Sequence, residues 1–399
     1  MSEISKPSDW LQCELGELTE IILGGTPSTA IPAFWGGTIP WMSSGDVHRK
    51  IIRDVPGRIT KRGLESSNAR LVNPPTVAVA LAGQGKTRGT AALVQATLST
   101  NQSVALLRPI DERLDARFLY FNLDHRYEEL RNRSMGGGRA GLSGGVLAKV
   151  PIALPPRDVQ WRIAEILDAV DDQVVFARDA LAKLRLQAIG VLEDLVAAIP
   201  TGKREPLADL CTADICYGIV QSGKFVADGV PVLSIRDLSG DFETGLHRTN
   251  SAIDAQSRRS RIVPRDVLLS IKGTIGRVGV APEHYVGNIS RELARLRFGK
   301  NVLPGFARSY FLSREAQRRL DLAVVGTTRA EVSIHVLKKF GFPVPSLAYQ
   351  QRMIDAYSCI EKRILAEEQE LLKLRALKLG LADDLLTGRV RVPAEGPHE

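Results

Sequence analysis

The feature that most constrains the fold of this chain is an internal repeat, in which similar residues recur 190 positions apart. The recurring residues are Gly83 with Gly273, Gly89 with Gly279, Arg139 with Arg329, Ser143 with Ser333, Pro155 with Pro345, and Gln160-x-Arg162 with Gln350-x-Arg352. A repeat of this kind indicates a duplicated structural unit. Each copy is a globular segment followed by a long helical pattern. The repeat therefore predicts a protein that recognises two similar targets at a fixed separation.

The composition limits the classes of protein that this chain can belong to. A length of 399 residues with 44% hydrophobic residues predicts two to three domains with real cores. The four cysteines form no CxxC pair and the six histidines are scattered, which argues against a disulfide framework or a metal site. We expect a soluble cytoplasmic protein, since neither a signal pattern nor an apolar stretch of membrane-spanning length is present. The net charge of +8 favours polyanionic partners.

Both globular segments have the pattern of mixed α+β domains. Turn residues separate short apolar runs that predict strands at 76–82 and 103–107 in the first copy, and at 230–235 and 267–271 in the second. A helical stretch and then a loop follow in each copy. The predicted division is 1–155 for the first domain, 156–200 for the first long helix, 201–345 for the second domain, 346–390 for the second long helix, and 391–399 for a tail.

The two long helical segments carry apolar residues at alternating steps of four and three, which is typical of a coiled coil. In the first copy this seam comprises Ile163, Leu167, Val170, Val174, Ala177, Leu181, Leu184, Ala188, Val191 and Leu195. In the second it comprises Met353, Tyr357, Ile360, Ile364, Glu367, Leu371, Leu374, Lys378, Leu381 and Leu385, with Glu367 and Lys378 as interruptions. Each seam is about 48 Å long. The helices either pair with each other, in parallel or antiparallel, or dock on their own domains.

Three strings resemble enzyme motifs, and none of them has the context that its chemistry needs. Residues 80–87 fit a relaxed phosphate-loop pattern, but the residues that follow predict a strand rather than a helix, which favours a β-hairpin with a basic tip. The glycines of 136–141 follow a helix instead of a strand. Asn73-Pro-Pro-Thr76 has threonine where an adenine methyltransferase has an aromatic residue, so a turn before a strand is the better interpretation.

Nuclease and metal chemistry also lack their residues. No lysine follows Asp or Glu at a spacing of two, and neither a Cys/His nucleophile arrangement nor a zinc spacing occurs. We therefore predict no catalytic residue, no metal ligand and no bound cofactor in this chain. The sequence predicts a binding protein without catalysis of its own.

Taken in order, several strings resemble the specificity subunits of type I restriction–modification systems. They are Gly24-Gly-Thr-Pro-Ser28, Ile39-Pro-Trp41, Asn101-Gln102, Ala153-Leu-Pro-Pro156 with Gln160-x-Arg162, Tyr217-Gly-Ile219, Gly229-Val-Pro-Val-Leu233 and Val344-Pro345 with Gln350-Gln-Arg352. The resemblance covers essentially the whole chain. The Gly-Thr-Pro-Ser string has no counterpart in the second copy, so the two domains are expected to recognise different half-sites.

The resemblance implies an α+β fold with two target-recognition domains, related by a pseudo-twofold axis and separated by a pair of long antiparallel coiled-coil helices. Each domain would read one half of a bipartite DNA target. The helices would set the spacer and dock two methyltransferase subunits, which bring S-adenosylmethionine and methylate adenine; motor-nuclease subunits can join them. Two alternatives stay open: a structural adaptor that only bridges proteins, and a self-contained DNA methyltransferase.

Polar residues on loops that recur in both copies are the candidate DNA contacts, since binding needs phosphate neutralisation and a few side chains that reach base edges. In the first domain they are Ser43, Ser44, Asp46, Gln84, Lys86, Arg88 and Arg139. In the second domain they are Ser234, Arg236, Asp237, Lys272, Thr274, Arg277, Thr327, Thr328 and Arg329. Arg139 and Arg329 are the strongest candidates, because arginine recurs there inside loops that otherwise differ.

Overall fold

The computed structural model describes residues 9–83, 85–133, 142–200, 202, 204–240, 242–324 and 330–392. The chain divides into two units, of which unit 1 comprises 1–177 with 370–399 and unit 2 comprises 178–369. The predicted Gln84, Arg139, Thr327, Thr328 and Arg329 lie outside the described residues.

Unit 1 is a mixed α+β structure. Its strands are β1 (Leu11–Glu14), β2 (Thr19–Leu23), β3 (Trp35–Met42), β4 (Ile51–Ile52), β5 (Arg58–Ile59), β6 (Thr76–Ala80), β7 (Ala91–Val94), β8 (Ser99–Thr100), β9 (Val104–Pro109) and β10 (Pro151–Leu154). Its helices are α1 (Leu15–Leu18), α2 (Lys61–Glu65), α3 (Ala116–His125), α4 (Tyr127–Asn132), α5 (Gly144–Ala148) and the first part of α6 (Arg157–Ala197), with 3-10 turns at Pro32–Phe34 and Ser44–Arg49.

The largest sheet of unit 1 has the order β2-β9-β6-β7-β4, beside sheets β5-β3-β8 and β1-β10. Strand β6 is central and antiparallel to both neighbours, and each of its residues is buried. That burial explains why its sequence, Thr-Val-Ala-Val-Ala, is apolar on both faces instead of alternating. One core lies between this sheet, α3 and the helix residues Ile163 and Leu167.

Unit 2 is also α+β. Its strands are β11 (Glu205–Pro206), β12 (Cys216–Tyr217), β13 (Val230–Leu233), β14 (His247–Thr249), β15 (Val267–Ser270), β16 (Val278–Val280), β17 (Asn288–Ile289), β18 (Leu293–Leu296) and β19 (Gly341–Phe342). Its helices are α7 (Leu207–Leu210), α8 (Ser251–Gln256), α9 (Pro304–Leu312), α10 (Arg314–Leu322), α11 (Ile334–Lys338) and the first part of α12 (Leu347–Leu386), with 3-10 turns at Ile235–Ser239 and Arg258–Ser260.

The centre of unit 2 has the same strand arrangement as the centre of unit 1. Its sheets have the orders β12-β18-β15-β16, β14-β13-β17 and β11-β19. Strand β15 is antiparallel to both β16 and β18, as β6 is to β7 and β9. The serines that recur in the sequence have the same role in both units, because Ser143 caps α5 and Ser333 caps α11 with their side chains.

A buried glutamine fixes the start of each long helix. The Gln160 amide donates to the carbonyls of Arg113 (2.7 Å) and Pro155 (2.8 Å), and its oxygen accepts from the Asp115 N–H (2.9 Å). The side chain therefore ties the beginning of α6 to the loop before α3. In the second copy, Gln350 makes the corresponding bonds to the Leu303 N–H (2.8 Å), the Asn301 carbonyl (2.8 Å) and the Pro345 carbonyl (2.9 Å).

Within unit 1, the beginning of α6 and the end of α12 run in opposite directions. Leu167 and Leu385 are buried in the same core, and Asp171 forms an ion pair with Lys378 (2.5 Å). Lys378, which interrupts the predicted seam, therefore has a carboxylate partner on the facing helix. The ammonium group also lies 5.9 Å from the centre of the Phe121 ring.

Within unit 2, the end of α6 and the beginning of α12 show the same opposite order. Arg185 pairs with Glu368 (2.6 Å), and the Tyr349 hydroxyl donates to the Leu195 carbonyl (2.6 Å). Towards the end of α6 the fully buried positions are Leu192 and Val196, whereas the predicted seam residue Leu195 is only half-buried. This shift of one residue follows from packing against the core of unit 2, which includes Leu192 and Val196.

The remaining seam residues are all buried or half-buried. Buried members are Ile163, Leu167, Val170, Ala177, Leu181, Leu184, Ala188, Met353, Leu371 and Leu385, and half-buried members are Val174, Val191, Tyr357, Ile360, Ile364, Glu367, Leu374, Lys378 and Leu381. Leu372 and Leu377, which lie beside the interruptions of the second seam, are exposed at 64% and 50%.

Candidate nucleic-acid interface

The hairpin tip of unit 1 joins β6 to β7 through residues 81–90. Gly83, Gly85 and Gly89 have φ values of 129°, 66° and 85°, a region that favours glycine. The predicted strand after the tip is confirmed, since β7 pairs antiparallel with β6. No helix begins behind the Gly-Lys-Thr string among the described residues of this loop, so the loop lacks the helix N-terminus that a phosphate loop uses.

The tip of this hairpin is attached to α4. The Tyr127 hydroxyl donates to the Lys86 carbonyl (3.2 Å), and the Arg131 guanidinium donates to the Gly85 carbonyl. The Lys86 side chain itself is exposed, and Arg88 is half-buried. The Arg88 Nε is buried with no hydrogen-bond partner within the described part of the chain. Both cations belong to a loop that is held in place, which suits a contact surface.

The corresponding hairpin tip of unit 2, residues 271–277, joins β15 to β16. The Ser270 hydroxyl donates to the Thr274 carbonyl (2.6 Å) and accepts from the Arg277 N–H (2.8 Å), which closes the loop. Thr274 and Arg277 are exposed. Lys272 forms an ion pair with Glu331 (3.0 Å). Both hairpin tips thus present side chains that are among the predicted DNA contacts.

The predicted serine and aspartate contacts have a structural role in both units. The Asp46 carboxylate accepts from the N–H (2.9 Å) and the hydroxyl (2.7 Å) of Ser43. Asp237 accepts from the N–H and hydroxyl of Ser234 at 2.7 Å each. These are capping boxes at the start of 3-10 turns. The Ser-x-x-Asp spacing was the sequence signal for them, and it accounts for their recurrence without a ligand.

Neighbouring side chains of these caps remain available for contacts. Ser44 is half-buried and follows the first cap directly. The Arg236 side chain is 69% exposed and lies 3.4 Å from the Asp237 carboxylate. Arg236 also lines a cleft of about 370 Å³ together with Phe225, His247 and Arg248. This cleft brings two arginines beside two aromatic rings, a combination found on nucleic-acid-binding surfaces.

The Gly24–Ser28 string, which is not among the predicted DNA contacts, forms an anchored loop. The indole N–H of Trp41 donates to the Gly25 carbonyl (3.0 Å), and that of Trp35 donates to the Ser28 carbonyl (3.1 Å). The loop lines a polar cleft of about 600 Å³ with Gln102 and residues 65–68. Gly24 is required because a Cβ there would lie 2.2 Å from the Thr100 carbonyl oxygen.

Two arginines near the tip of unit 1 are already paired with one carboxylate. Glu129 accepts hydrogen bonds from Arg126 (2.7 and 2.8 Å) and from Arg133 (2.9 Å). These bonds, first those from Arg126, lower the pKa of Glu129 to about 2. Because Arg126 and Arg133 share this one carboxylate, one of their two positive charges is balanced locally.

Two further properties bear on the chemistry of the chain. In the ranges that the structure describes, no cluster of three or more His, Cys, Asp or Glu side chains could hold a metal ion. Within the same ranges, no helix combines the length and apolarity needed to cross a membrane.

Comparisons with known proteins find one consistent family. A family model described as "Type I restriction modification DNA specificity domain" matches twice, at residues 7–185 and 206–376. The EcoBI specificity subunit of Escherichia coli is 25% identical over 286 residues, which are 64% of this chain and 60% of that protein. The MjaIX specificity subunit of Methanocaldococcus jannaschii is 28% identical over 172 residues, which are 42% of this chain and 39% of that protein.

A similar fold is found among solved structures. In work described as addressing complex assembly and conformational transition of the type I R-M system, one chain has a TM-score of 0.63 at 19% identity. The match covers 97% of this chain and 100% of the other. At this identity the similarity establishes the mixed α/β architecture with its long helices.

Proposed function

The chain belongs to the type I restriction–modification DNA specificity family, and we propose from this premise that it is the non-catalytic subunit that reads a bipartite DNA target. Each globular segment would read one half-site. The partners would be two adenine methyltransferase subunits, which supply S-adenosylmethionine, and motor-nuclease subunits where a system has them.

The observation that carries this proposal is the double match of the family model. Each match begins with a globular segment and continues into a long helix, at 7–185 and 206–376. Both segments are built around the same antiparallel three-strand arrangement, with a basic hairpin tip in the same place. Two such modules in one chain are what recognition of two half-sites needs.

We propose that α6 and α12 form the antiparallel coiled coil that sets the spacer between the half-sites. The opposite order of contacts within each unit supports this pairing, as do the buried seam residues. With this pairing, residues 1–155 and 201–345 are the two target-recognition domains, 156–200 and 346–390 are the spacer helices, and 391–399 is a tail. The duplication is then a pseudo-twofold arrangement.

The DNA contacts remain proposed for the exposed side chains of both units. On the hairpin tips these are Lys86, Thr274 and Arg277, and Arg236 adds a cation beside its capping turn. Arg139 and Arg329 stay proposed as contacts, one for each half-site. Loss of a bidentate contact between an arginine and a guanine would relax specificity at one position of the half-site. Loss of a phosphate contact would change only the salt dependence of the affinity.

The test is to map methylated adenines genome-wide in cells that carry the methyltransferase subunits with and without this chain. We expect methylation of one split motif that depends on the chain. Purified chain incubated with labelled S-adenosylmethionine and DNA should transfer no methyl group. Methyl transfer by the chain alone would support the self-contained enzyme instead, and methylation that does not depend on the chain would support the adaptor.

A further inference from the structure

The edge of the four-stranded sheet in unit 2 carries a tyrosine ring flanked by two cations. Tyr217 belongs to β12, the edge strand of the order β12-β18-β15-β16, and it is 36% exposed. The Arg259 guanidinium carbon lies 5.9 Å from the ring centre, and the Lys272 ammonium lies 5.7 Å from it. Both distances are within the range of cation–π attraction. We call these three residues the tyrosine cluster.

The backbone around this cluster is closely fixed. A Cβ on Gly218 would lie 1.8 Å from the Ile289 carbonyl oxygen, so the residue after Tyr217 must be glycine. Lys272 forms a backbone bridge to Glu331, and the Cys216 thiol contacts the Arg259 carbonyl (3.2 Å). The three side chains therefore extend from backbone that is held in place before any ligand arrives.

The charges of the cluster are available to an anion. Arg259 is exposed, and no carboxylate within the described residues lies at ion-pair distance from it. Lys272 pairs with Glu331, but both side chains are partly exposed, at 32% and 43%. A surface ion pair of this kind contributes little net free energy, so the ammonium can exchange the carboxylate for a phosphate at low cost.

On the basis of the proposed function, we infer that the tyrosine cluster is a clamp for a DNA backbone phosphate beside the half-site read by unit 2. The guanidinium, the ammonium and the phenol can each donate a hydrogen bond to phosphate oxygens. Because the two cations already lie over the ring, the role of the ring is to position them rather than to stack on a base. Phosphate contacts fix register and orientation but carry no sequence information.

The experiment measures, by fluorescence anisotropy, binding of the full chain to a duplex that contains the mapped methylation motif. The KCl concentration is varied from roughly 50 to 300 mM, because phosphate contacts dominate the salt dependence of the affinity in this range. Arg259→Gln and Lys272→Met should each lower the slope of log affinity against log salt by about one. Each should weaken binding at low salt on the order of 10-fold. The penalty for a base change in either half-site should stay as in the wild type.

Two further substitutions isolate the role of the ring. Tyr217→Phe keeps the ring and should bind within about 3-fold of the wild type, whereas Tyr217→Leu should resemble the cation variants. Lys300→Met is the matched control, because Lys300 is an exposed lysine of the same unit outside the cluster. It should leave the salt slope unchanged. Circular dichroism of every variant checks that the fold is retained.

The outcomes separate this inference from the proposed function. If the wild type prefers the motif duplex but the salt slopes of Arg259→Gln and Lys272→Met equal that of the wild type, the clamp is wrong and the proposed function stands. A changed base preference with an unchanged slope would assign the cluster to base reading and overturn the clamp. If the wild type does not distinguish the motif duplex from a scrambled one, the proposed function fails and the clamp fails with it.

Discussion

Replacing Gln160 by alanine should destabilise unit 1 far more than its small change in volume suggests. Gln160 is fully buried and makes three hydrogen bonds, one accepted from Asp115 and two donated to the carbonyls of Arg113 and Pro155. Each such bond contributes about 1 kcal/mol, and each buried group left without a partner costs about 1–3 kcal/mol. Because water will reach some of the exposed groups, the expected loss is about 3–5 kcal/mol.

Tryptophan fluorescence during urea unfolding is the assay, because Trp10, Trp35, Trp41 and Trp161 all belong to unit 1 and unit 2 has no tryptophan. With a denaturant slope of about 2 kcal/mol per molar, the midpoint of the Gln160→Ala variant should fall by roughly 1.5–2.5 M urea. The slope should not change, since the same surface is exposed on unfolding.

Gln173→Ala is the matched control, because Gln173 is an exposed glutamine of the same helix in the same unit. The free energy of unfolding of this variant should differ from that of the wild type by no more than about 0.5 kcal/mol. Gln160→Glu keeps the shape and the acceptor but loses both donors, so at neutral pH it should be at least as destabilising as alanine. If Gln160→Ala and Gln173→Ala unfold at the same urea concentration, the glutamine does not hold the helix start and the reasoning is refuted.

Three further predictions use other parts of the chain. Gln350→Ala should destabilise unit 2 by a similar amount, while the exposed neighbour Gln351→Ala should not; equal hydrogen-exchange protection of α12 in both variants would contradict this. Because the pKa of Glu129 is lowered from 4.5 to about 2, its stabilising effect is present above pH 4.5 and is lost as the pH falls towards 2. The urea midpoint of Glu129→Gln should therefore decrease less than that of the wild type between pH 5 and pH 3, roughly the upper part of this window. An equal decrease in both proteins would count against the pairing. Four residues inserted after Ala188 add about 6 Å to α6 and should lengthen the unread spacer by one or two base pairs without changing the half-sites. Genome-wide mapping of methylated sites measures the spacer. An active variant with the original spacer would show that the helices do not set its length.

The parts of the fold that sequence could predict are those fixed by local patterns. The steps of four and three along 163–195 and 353–385 predict the long helices, and the apolar run of β6 beside glycines predicts the hairpin. The sheet orders could not be predicted. Parallel pairs such as β4 with β7 join segments about 40 residues apart, and their register depends on which faces are buried together.

The candidate site shows the same division between local and distant information. Ser43 and Asp46 have a spacing from which a capping box can be predicted, and the structure contains that capping box. Tyr217 and Arg259 are 42 positions apart and only the fold brings them together, so no pattern in the sequence marks their contact. Gln160 and Gln350 recur in the sequence, but their role depends on three backbone partners in each copy that only the fold brings to them.

The way α12 completes unit 1 has a consequence for synthesis of the chain on the ribosome. Ala382, Leu385 and Leu386 belong to the same core as Ile163 and Leu167, although more than 200 residues of sequence separate Leu167 from Leu385. At about 5–20 residues per second, translation needs roughly 10–40 s to supply the missing side of that core. During this interval we expect the nascent first segment to expose the apolar surface that α12 later covers, and such exposed surface is what chaperones bind.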